Sequence, residues 1–343
     1  MTRLGVWYDF RNPPESRLPW TELYEGLLDQ AVLAEELGFD SIWISEHHFL
    51  EEGYLPSLAP MLAVLADRTS RVTLGTAVLL APLHHPLRLA EDLALIDQLA
   101  HGRLAIGMAP GYRPEEFRVM GVPKAERGRR TEEAIELLQL AWKGERFSYH
   151  SEHFDFQDVI VAPPPFTPGG PPLWIGGNSV YASHRAAKYG CGFMPDSGAG
   201  EEIYDAYLQG YQGAGRPRLA TNRVVFAASS MDEAWELAGE SLLYQFNGYR
   251  KWFADADDAD THGAPVTDYR DLSKDHYFVG TPDYIIEQIL AAEARFGFEE
   301  LIFWARPPGM PIDVATRSLE LIAREVLPAV ATAPADSPPT RED

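Results

Sequence analysis

The sequence predicts a single α/β domain over residues 1–330, a (β/α)8 TIM barrel with insertions after the fourth and seventh strands. Three observations carry that expectation. Strand-like and helix-like stretches alternate strictly. Successive strands in the first half begin about thirty to thirty-six residues apart, the size of a βαβ unit. The strand runs are continuously apolar, as in parallel strands covered by helices. Eight strands, each followed by a helix, match a barrel of about 250 residues plus insertions better than a doubly wound open sheet.

The first strand, 4–8, is short and apolar. A Pro-rich loop at 12–19 leads into a helix at 21–37, where Leu23, Leu27, Ala31 and Ala34 step along one face. Thr21 is placed to cap that helix, Glu22 and Glu25 suit its positive end, and Gly38 stands where it stops. Strand 40–45 carries Ile42, Trp43 and Ile44. Helix 57–66, strand 72–80, helix 87–99, strand 103–109 and helix 126–142 repeat the unit. An insertion at 143–171 follows. The alternation resumes with strand 172–176, helix 181–189, strand 191–195, helix 201–212, strand 222–228 and helix 231–246. A second insertion spans 248–280, and helix 282–296, strand 300–305 and helix 313–327 complete the set. Residues 331–343, rich in Pro, Ala and Asp and without periodicity, are expected to form a disordered tail.

Composition excludes several classes. With 29 Lys+Arg against 51 Asp+Glu the net charge is −22, too acidic for a nucleic-acid binder. At 45% hydrophobic residues, the chain can bury a large core and is not disordered as a whole. No apolar run reaches the ~18 residues of a membrane span, and the apolar run in residues 1–9 is too short for a signal-peptide core. The single cysteine, Cys191, excludes an internal disulfide and a thiolate zinc site and fits a reducing cytoplasm. A soluble cytoplasmic protein is expected. An anionic ligand would need helix N-termini or a few arginines in so acidic a chain.

In a barrel of this class, chemistry belongs at the C-terminal strand ends. Strand one ends in Tyr8, Asp9 and Phe10. Strand two ends in Glu46-His47-His48-Phe49, where a carboxylate and two imidazoles offer acid/base chemistry or a polar partner for a heteroaromatic ring; the plainer alternative is that they satisfy loop carbonyls. A metal site is disfavoured, because adjacent histidines point apart and no third ligand follows at a helical spacing. Strand three, with Gly75, Thr76 and Ala77, is small where it reaches the mouth, which permits close approach of a flat ligand or merely relieves crowding. His84 and His85 precede Pro86 and read as loop and helix cap. Strand four ends in Gly107, Met108, Ala109, Pro110 and Gly111, yet no strand–GxGxxG–helix or GxxxxGK[ST] unit is present. Arg127, Arg129 and Arg130 form a candidate phosphate clamp, or else pair with Glu132, Glu133 and Glu136 along a helix. Strand five runs into Gly176, Gly177, Asn178 and Ser179 ahead of a helix, the best phosphate-binding candidate in the chain; an ordinary capped helix start is the alternative.

SIWISEHHF at strand two, LGTAVLLAPLHHPLRLAEDLALIDQLAHGRLAIGMAPGYRPEEF through strands three and four, and PLWIGGNS at strand five together resemble the luciferase-like, flavin-dependent monooxygenases. The likeness runs from about residue 4 to 190 and more weakly to the last helix. The resemblance implies a (β/α)8 barrel that holds reduced FMN, delivered by a separate NAD(P)H flavin reductase, and uses O2 to oxygenate a small organic substrate through a C4a-peroxyflavin. It assigns the flavin-side catalytic motif to Glu46, His47 and His48. It places Thr76-Ala77 at a strand-three pair that often carries a non-prolyl cis peptide against the isoalloxazine, with Met108 and Ala109 on the neighbouring strand. It assigns the flavin phosphate to Gly176, Gly177, Asn178 and Ser179, with Arg129 reaching it.

Two departures stand out. Ala109 occupies the position of the reactive cysteine of bacterial luciferase and Pro110 that of the following arginine, so light emission is not implied. Asn178 stands where luciferase has a carboxylate, which should ease anion binding. Other members of the superfamily use a deazaflavin coenzyme for hydride transfer and often carry Ser-Asp-His at strand two; Ser45-Glu46-His47-His48 looks more like the FMN branch. A non-catalytic flavin-binding barrel, and a hydrolase using Glu46 with Asp9, remain alternatives. Tyr8, Met194, Trp304 and Arg306 are expected to line the mouth, and 248–280, with its acidic run from Asp255, to form a mobile lid. Relatives commonly form homodimers, here through Met61, Leu62 and Leu65.

Overall fold

Alternation along each strand sorts side chains onto two faces of a sheet, and in this chain each face builds a core. The computed structural model describes residues 2–256, 265–272 and 277–332. Four strands come first, β1 (Arg3–Tyr8), β2 (Ser41–Ile44), β3 (Thr73–Leu80) and β4 (Leu104–Ala109), then an antiparallel hairpin of β5 (Phe147–His150) and β6 (Asp155–Val159). They are followed by β7 (Leu173–Gly176), β8 (Gly192–Met194), β9 (Ala220–Ala227), β10 (Tyr277–Gly280) and β11 (Glu300–Trp304). Nine strands pair in parallel in the order β10-β9-β11-β1-β2-β3-β4-β7-β8, and a parallel bridge between Phe193 and Leu219 links β8 to the segment entering β9.

The helices are α1 (Trp20–Leu37), α2 (Leu58–Arg68), α3 (Pro86–Leu99), α4 (Pro114–Met120), α5 (Arg127–Ala141), α6 (Val180–Lys188), α7 (Glu201–Gly210), α8 (Met231–Asp255), α9 (Pro282–Phe296), α10 (Ile312–Leu321) and α11 (Leu327–Thr332). Among the described residues, no helix is long and apolar enough to cross a membrane. Leu23, Leu27, Ala31 and Ala34 of α1 are buried as their spacing predicts, and Gly38 closes that helix at φ 102°, a conformation open to glycine. Pro19, not Thr21, precedes its first turn, and no side chain caps it.

The outer core joins helix faces to strand residues such as Leu4, Val6, Ile42, Ile44, Leu74, Ile106 and Ile175. The inner core is built on Trp7, Trp43, Trp174, Ile302 and Trp304. Trp43 and Trp174 meet edge to face with centroids 6.5 Å apart. Both depend on missing side chains across the sheet: a Cβ on Gly75 would overlap the Trp43 ring, and one on Gly192 would overlap Trp174. This filled floor leaves the chemistry to the strand ends above it.

Three expectations need correction. The second insertion is shorter than the sequence implied. Helix α8 continues from Phe246 to Asp255, because Gln245 and Trp252 still bury one face, and Tyr277–Gly280 forms β10, pairing with Val224–Ala227 of β9. The rest of the acidic run, 257–260, and the tail 333–343 lie outside the described residues. The first insertion contains the β5–β6 hairpin and the sequence did not reveal the short α4. Met61, Leu62 and Leu65 all face the chain's own core, since they share the inward stripe of α2 with Leu58, while Val64 is the exposed apolar residue.

Gly75→Ala is expected to destabilise the chain by about 1–3 kcal/mol, because the indole of Trp43 has no room to retreat. Urea denaturation followed by Trp fluorescence would measure it, and an unchanged midpoint would show that the floor is looser than its packing implies.

Candidate functional site

The chain leaving β2 turns sharply at Phe49 (φ 58°) and sends its three polar side chains in two directions. Glu46 is fully buried. Its Oε1 accepts from His48 Nε2 at 2.7 Å and from His84 Nε2 at 2.8 Å, and its Oε2 accepts from the Leu80 backbone N–H at 2.8 Å. One carboxylate thus ties the ends of β2 and β3 together. Burial opposes its ionisation, but the charge of His84 and the bonds from both imidazoles outweigh that and hold its pKa down at about 2. His84 feels burial in the opposite direction, yet Glu46 raises its pKa above the ordinary value. His85 is the N-cap of α3, its side chain accepting from the Arg88 N–H.

His47 points elsewhere, to Glu116 of α4, with Nδ1 2.9 Å from Oε1. The same oxygen accepts from the His48 backbone N–H at 2.9 Å and from Arg113 Nη1 at 3.0 Å, and Arg113 Nη1 also donates to the His48 carbonyl at 2.7 Å. Burial works against charge on Glu116, but the His47 bond and charge, the His48 N–H and Arg113 together lower its pKa. Against an ionised Glu116, His47 Nδ1 carries the hydrogen of this bond, which fixes the orientation of the ring. Around the imidazole stand Tyr54, Tyr112 and Trp252, with centroids 4.8, 5.5 and 5.5 Å away.

Beside this dyad the strand ends are small. The Thr76 hydroxyl donates to the Gly107 carbonyl at 2.7 Å, and the β3–β4 register shifts between Thr76 and Leu79. The non-prolyl cis peptide is Ala77–Val78, one residue beyond the Thr76-Ala77 pair. Val78 lies across Gly176, where a Cβ would meet its Cγ1 at 2.7 Å. Ala109 is half-buried at the end of β4, whereas Met108 packs in the outer core. Gly177 (φ 137°), Asn178 and Ser179 are exposed; Ser179 caps α6 by accepting from the Ala182 N–H at 3.2 Å, and Asn178 Oδ1 accepts from the Asp196 N–H at 2.9 Å. The Ser183 N–H donates to the Ser179 carbonyl at 3.1 Å, which leaves the Val180 and Tyr181 N–H groups of that first turn without an intrahelical acceptor. Arg129 follows the pairing alternative, its Nε 3.2 Å from Glu133 Oε1 one turn away, and Arg130 pairs with Glu126.

Several residues here escaped sequence reasoning. Glu116 and Arg113 sit in a short helix that no periodicity marked. Arg11 is completely buried, with Nε 3.0 Å from Glu52 Oε2. Asp9 takes the Arg11 N–H at 3.1 Å and the Trp304 indole at 3.2 Å, in a different network from Glu46, which removes the geometric basis for a carboxylate pair. Burial raises the Asp9 pKa, against the opposing charge of Arg11. Trp304 and Met194 belong to the inner core and Arg306 donates to the Arg11 carbonyl at 3.0 Å, while Tyr8 packs in the outer core. A cavity of about 340 Å³ opens beside the dyad between Arg113, Arg118, Trp252 and Asp255.

The strand ends thus bring together an acid–imidazole dyad, small residues on β3, β4 and β7, and the capped start of α6. The family model for luciferase-like monooxygenases matches residues 2–300, and the chain belongs to that family of flavin-dependent oxidoreductases. It is 28% identical over 335 residues to the oxygenase component of a flavin-dependent trigonelline monooxygenase from Acinetobacter baylyi, covering 92% of each chain. It is 36% identical over 191 residues to an F420-dependent glucose-6-phosphate dehydrogenase from Beutenbergia cavernae, covering 53% of this chain and 55% of that one. Its fold superposes on the oxygenating constituent of 3,6-diketocamphane monooxygenase from Pseudomonas putida with a TM-score of 0.80 at 22% identity, covering 96% of this chain and 98% of the other.

The Glu46 network fixes a pH dependence. A carboxyl held at about 2 stabilises the fold fully above its ordinary 4.5 and loses that contribution as pH falls toward 2. His84, raised above 6.5, contributes fully below 6.5 and loses it as pH rises through its folded pKa. Glu46→Gln should therefore be most destabilising near about pH 5–6, converge on the native protein near about pH 2, and return the His84 pKa toward 6.5. Thermal melts across that range and NMR titration of His84 would check it; a stability gap that persists at the acid end would contradict the assignment.

Proposed function

We propose that this chain is the oxygenase of a two-component monooxygenase that takes reduced FMN from a separate NAD(P)H flavin reductase and uses O2 to oxygenate a small organic substrate. The observation that carries the reading is the His47–Glu116 dyad, held by Arg113 beside the small ends of β3, β4 and β7. The relationship to an oxygenase component over 92% of both chains supports it. Reduced FMN, when bound, would supply the electrons that activate dioxygen. The chain's residues fit that group. Gly107 and Gly176 let the Thr76 carbonyl and Val78 of β3 pack closely against β4 and β7, which with Ala77 keeps the side chains at these strand ends small, as a flat ring would need. Gly177, Asn178 and Ser179, with the free N–H groups of α6, would take the phosphate.

Within this reading His47 holds or accepts a proton at Nε2 while Glu116 fixes its tautomer, and Glu46 and His48 hold the strand-two turn in place. Tyr54, Tyr112 and Trp252 exclude water from the imidazole. We read the sheet as a barrel closed at the Phe193–Leu219 bridge, and the protein as a cytoplasmic homodimer. The apolar groove of Tyr24, Leu28 and Pro60, with the exposed Val64, supports an interface beside α2. A second reading, hydride transfer with a deazaflavin coenzyme, is favoured by the F420-dependent relative. A non-catalytic flavin carrier would have no use for the dyad.

Anaerobic titration with reduced FMN, reduced riboflavin and reduced deazaflavin, followed by mixing with oxygenated buffer, separates these readings. FMN is expected to bind tightest and the complex to react with O2; preference for deazaflavin without oxygen uptake would make the enzyme a dehydrogenase or reductase. Asn178→Asp, which keeps the acceptor for the Asp196 N–H but adds a charge, should weaken FMN about tenfold or more and leave riboflavin unchanged. His47→Ala should lower substrate-dependent product formation about 100-fold at saturating reduced flavin; unchanged turnover would remove the histidine from the mechanism.

A further inference from the structure

The buried guanidinium of Arg11 has a use that the dyad does not supply. Its side chain is wholly inaccessible, and Nε is committed to Glu52, which also accepts from the Tyr244 hydroxyl at 2.9 Å. Its Nη1 and Nη2 have no hydrogen-bond partner among the described residues. Four aromatic rings stand around it: Trp252, Tyr244, Tyr249 and Tyr54, with centroids 5.0, 5.4, 5.8 and 5.9 Å from Cζ. Buried donors normally find acceptors, so two unpaired guanidinium nitrogens within an aromatic box call for one.

The box adjoins the proposed reaction site. Tyr54 and Trp252, two of its walls, are also the rings against His47. One turn before Trp252, α8 also presents Gly248, where a Cβ would stand only 3.0 Å from Arg11 Nη2. A glycine inside a helix costs stability relative to alanine, and here it keeps space open at the unpaired end of the fork. The surrounding charges are Asp9, Glu52, Arg11 and Arg306. Burial raises the Asp9 pKa, against the opposing charges of Arg11 and Arg306, and Glu52 pairs with Arg11 at Nε.

We propose that Arg11 is the substrate-anchoring residue, and that its Nη1–Nη2 edge binds the carboxylate of an aromatic or heteroaromatic acid whose ring lies among Tyr54, Tyr249 and Trp252. The two parallel N–H groups match a carboxylate in geometry as well as charge. The ring of the acid then extends from Arg11 toward His47. The proposal rests on the monooxygenase reading of the mouth and names its substrate class.

Benzoate and its neutral isostere benzamide test it. Calorimetric titration of the full chain, with and without saturating FMN, should show benzoate binding at least about tenfold tighter than benzamide. Arg11→Lys, which keeps the charge but loses the fork, should abolish that preference. Gly248→Ala, which sets a methyl against the unpaired end of the fork, should weaken benzoate, with a cooperative thermal melt of the same variant showing that the fold is kept. Equal binding of the two probes, or retention of the benzoate preference by both variants, overturns the assignment. Flavin binding is followed in the same preparations. Flavin binding without a benzoate preference defeats the anchor and leaves the monooxygenase reading standing; a benzoate preference without flavin binding upholds the pocket and defeats that reading.

Discussion

Glu116 places three donors on a single oxygen inside a protein, and the mouth of the sheet is organised by that requirement. A carboxylate removed from water is costly unless its charge is met by close, well-directed partners. Here the partners come from the turn after β2 and from Arg113 at the start of α4, so α4 cannot shift without stranding the charge. Arg113 also takes the His48 carbonyl, and the backbone of that turn is thereby held through both its N–H and its C=O. With the backbone fixed, the adjacent imidazoles must diverge. His48 falls to Glu46 and joins the latch between β2 and β3; His47 is left against the rings at the mouth.

The same economy explains how a chain with a net charge of −22 could hold anions. Carboxylates on the surface are screened beyond about 8 Å at physiological ionic strength, so the local groups decide. At the α6 start those groups are backbone N–H donors, since Arg129 and Arg130 are occupied by carboxylates of their own helix region. At the mouth they are buried arginines. Arg113 is neutralised by Glu116, and Arg306 donates to backbone carbonyls. Arg11 alone of these keeps two unsatisfied nitrogens.

Much of this was legible in the sequence, for reasons that also mark where legibility stops. The parallel strands announced themselves because burial on both faces leaves continuous apolar runs such as Ile42-Trp43-Ile44. The strand-end motif Glu46-His47-His48 was visible because contiguous polar residues after such a run have few structural uses. Glu116 was not visible: it stands in a seven-residue helix, too short for a periodic stripe, and its partner is 69 residues away. Arg11 was hidden for a similar reason, since a single arginine in a Pro-rich loop carries no sign that four rings from two distant segments will enclose it. The second insertion misled because Tyr277–Gly280 is only four residues long and the continuation of α8 beyond Phe246 depends on tertiary burial of Trp252.

Trp252 shows why α8 had to continue. Its ring centroid lies 5.5 Å from that of His47, 5.0 Å from Arg11 Cζ and 5.5 Å from Arg113 Cζ, so one indole faces three basic side chains. The negative face of an aromatic ring can stand close to such groups without adding a carboxylate that would compete for their hydrogen bonds. A loop could carry an indole there, but a helix also fixes Tyr249 one turn earlier and brings Gly248 against the guanidinium. The His47 and Arg11 side chains therefore share a wall, and the element that supplies it covers both. A ligand spanning the two groups would have to be accommodated by this one helix, so on the proposed reading α8 is where selection of substrate and protection of the reacting centre would meet.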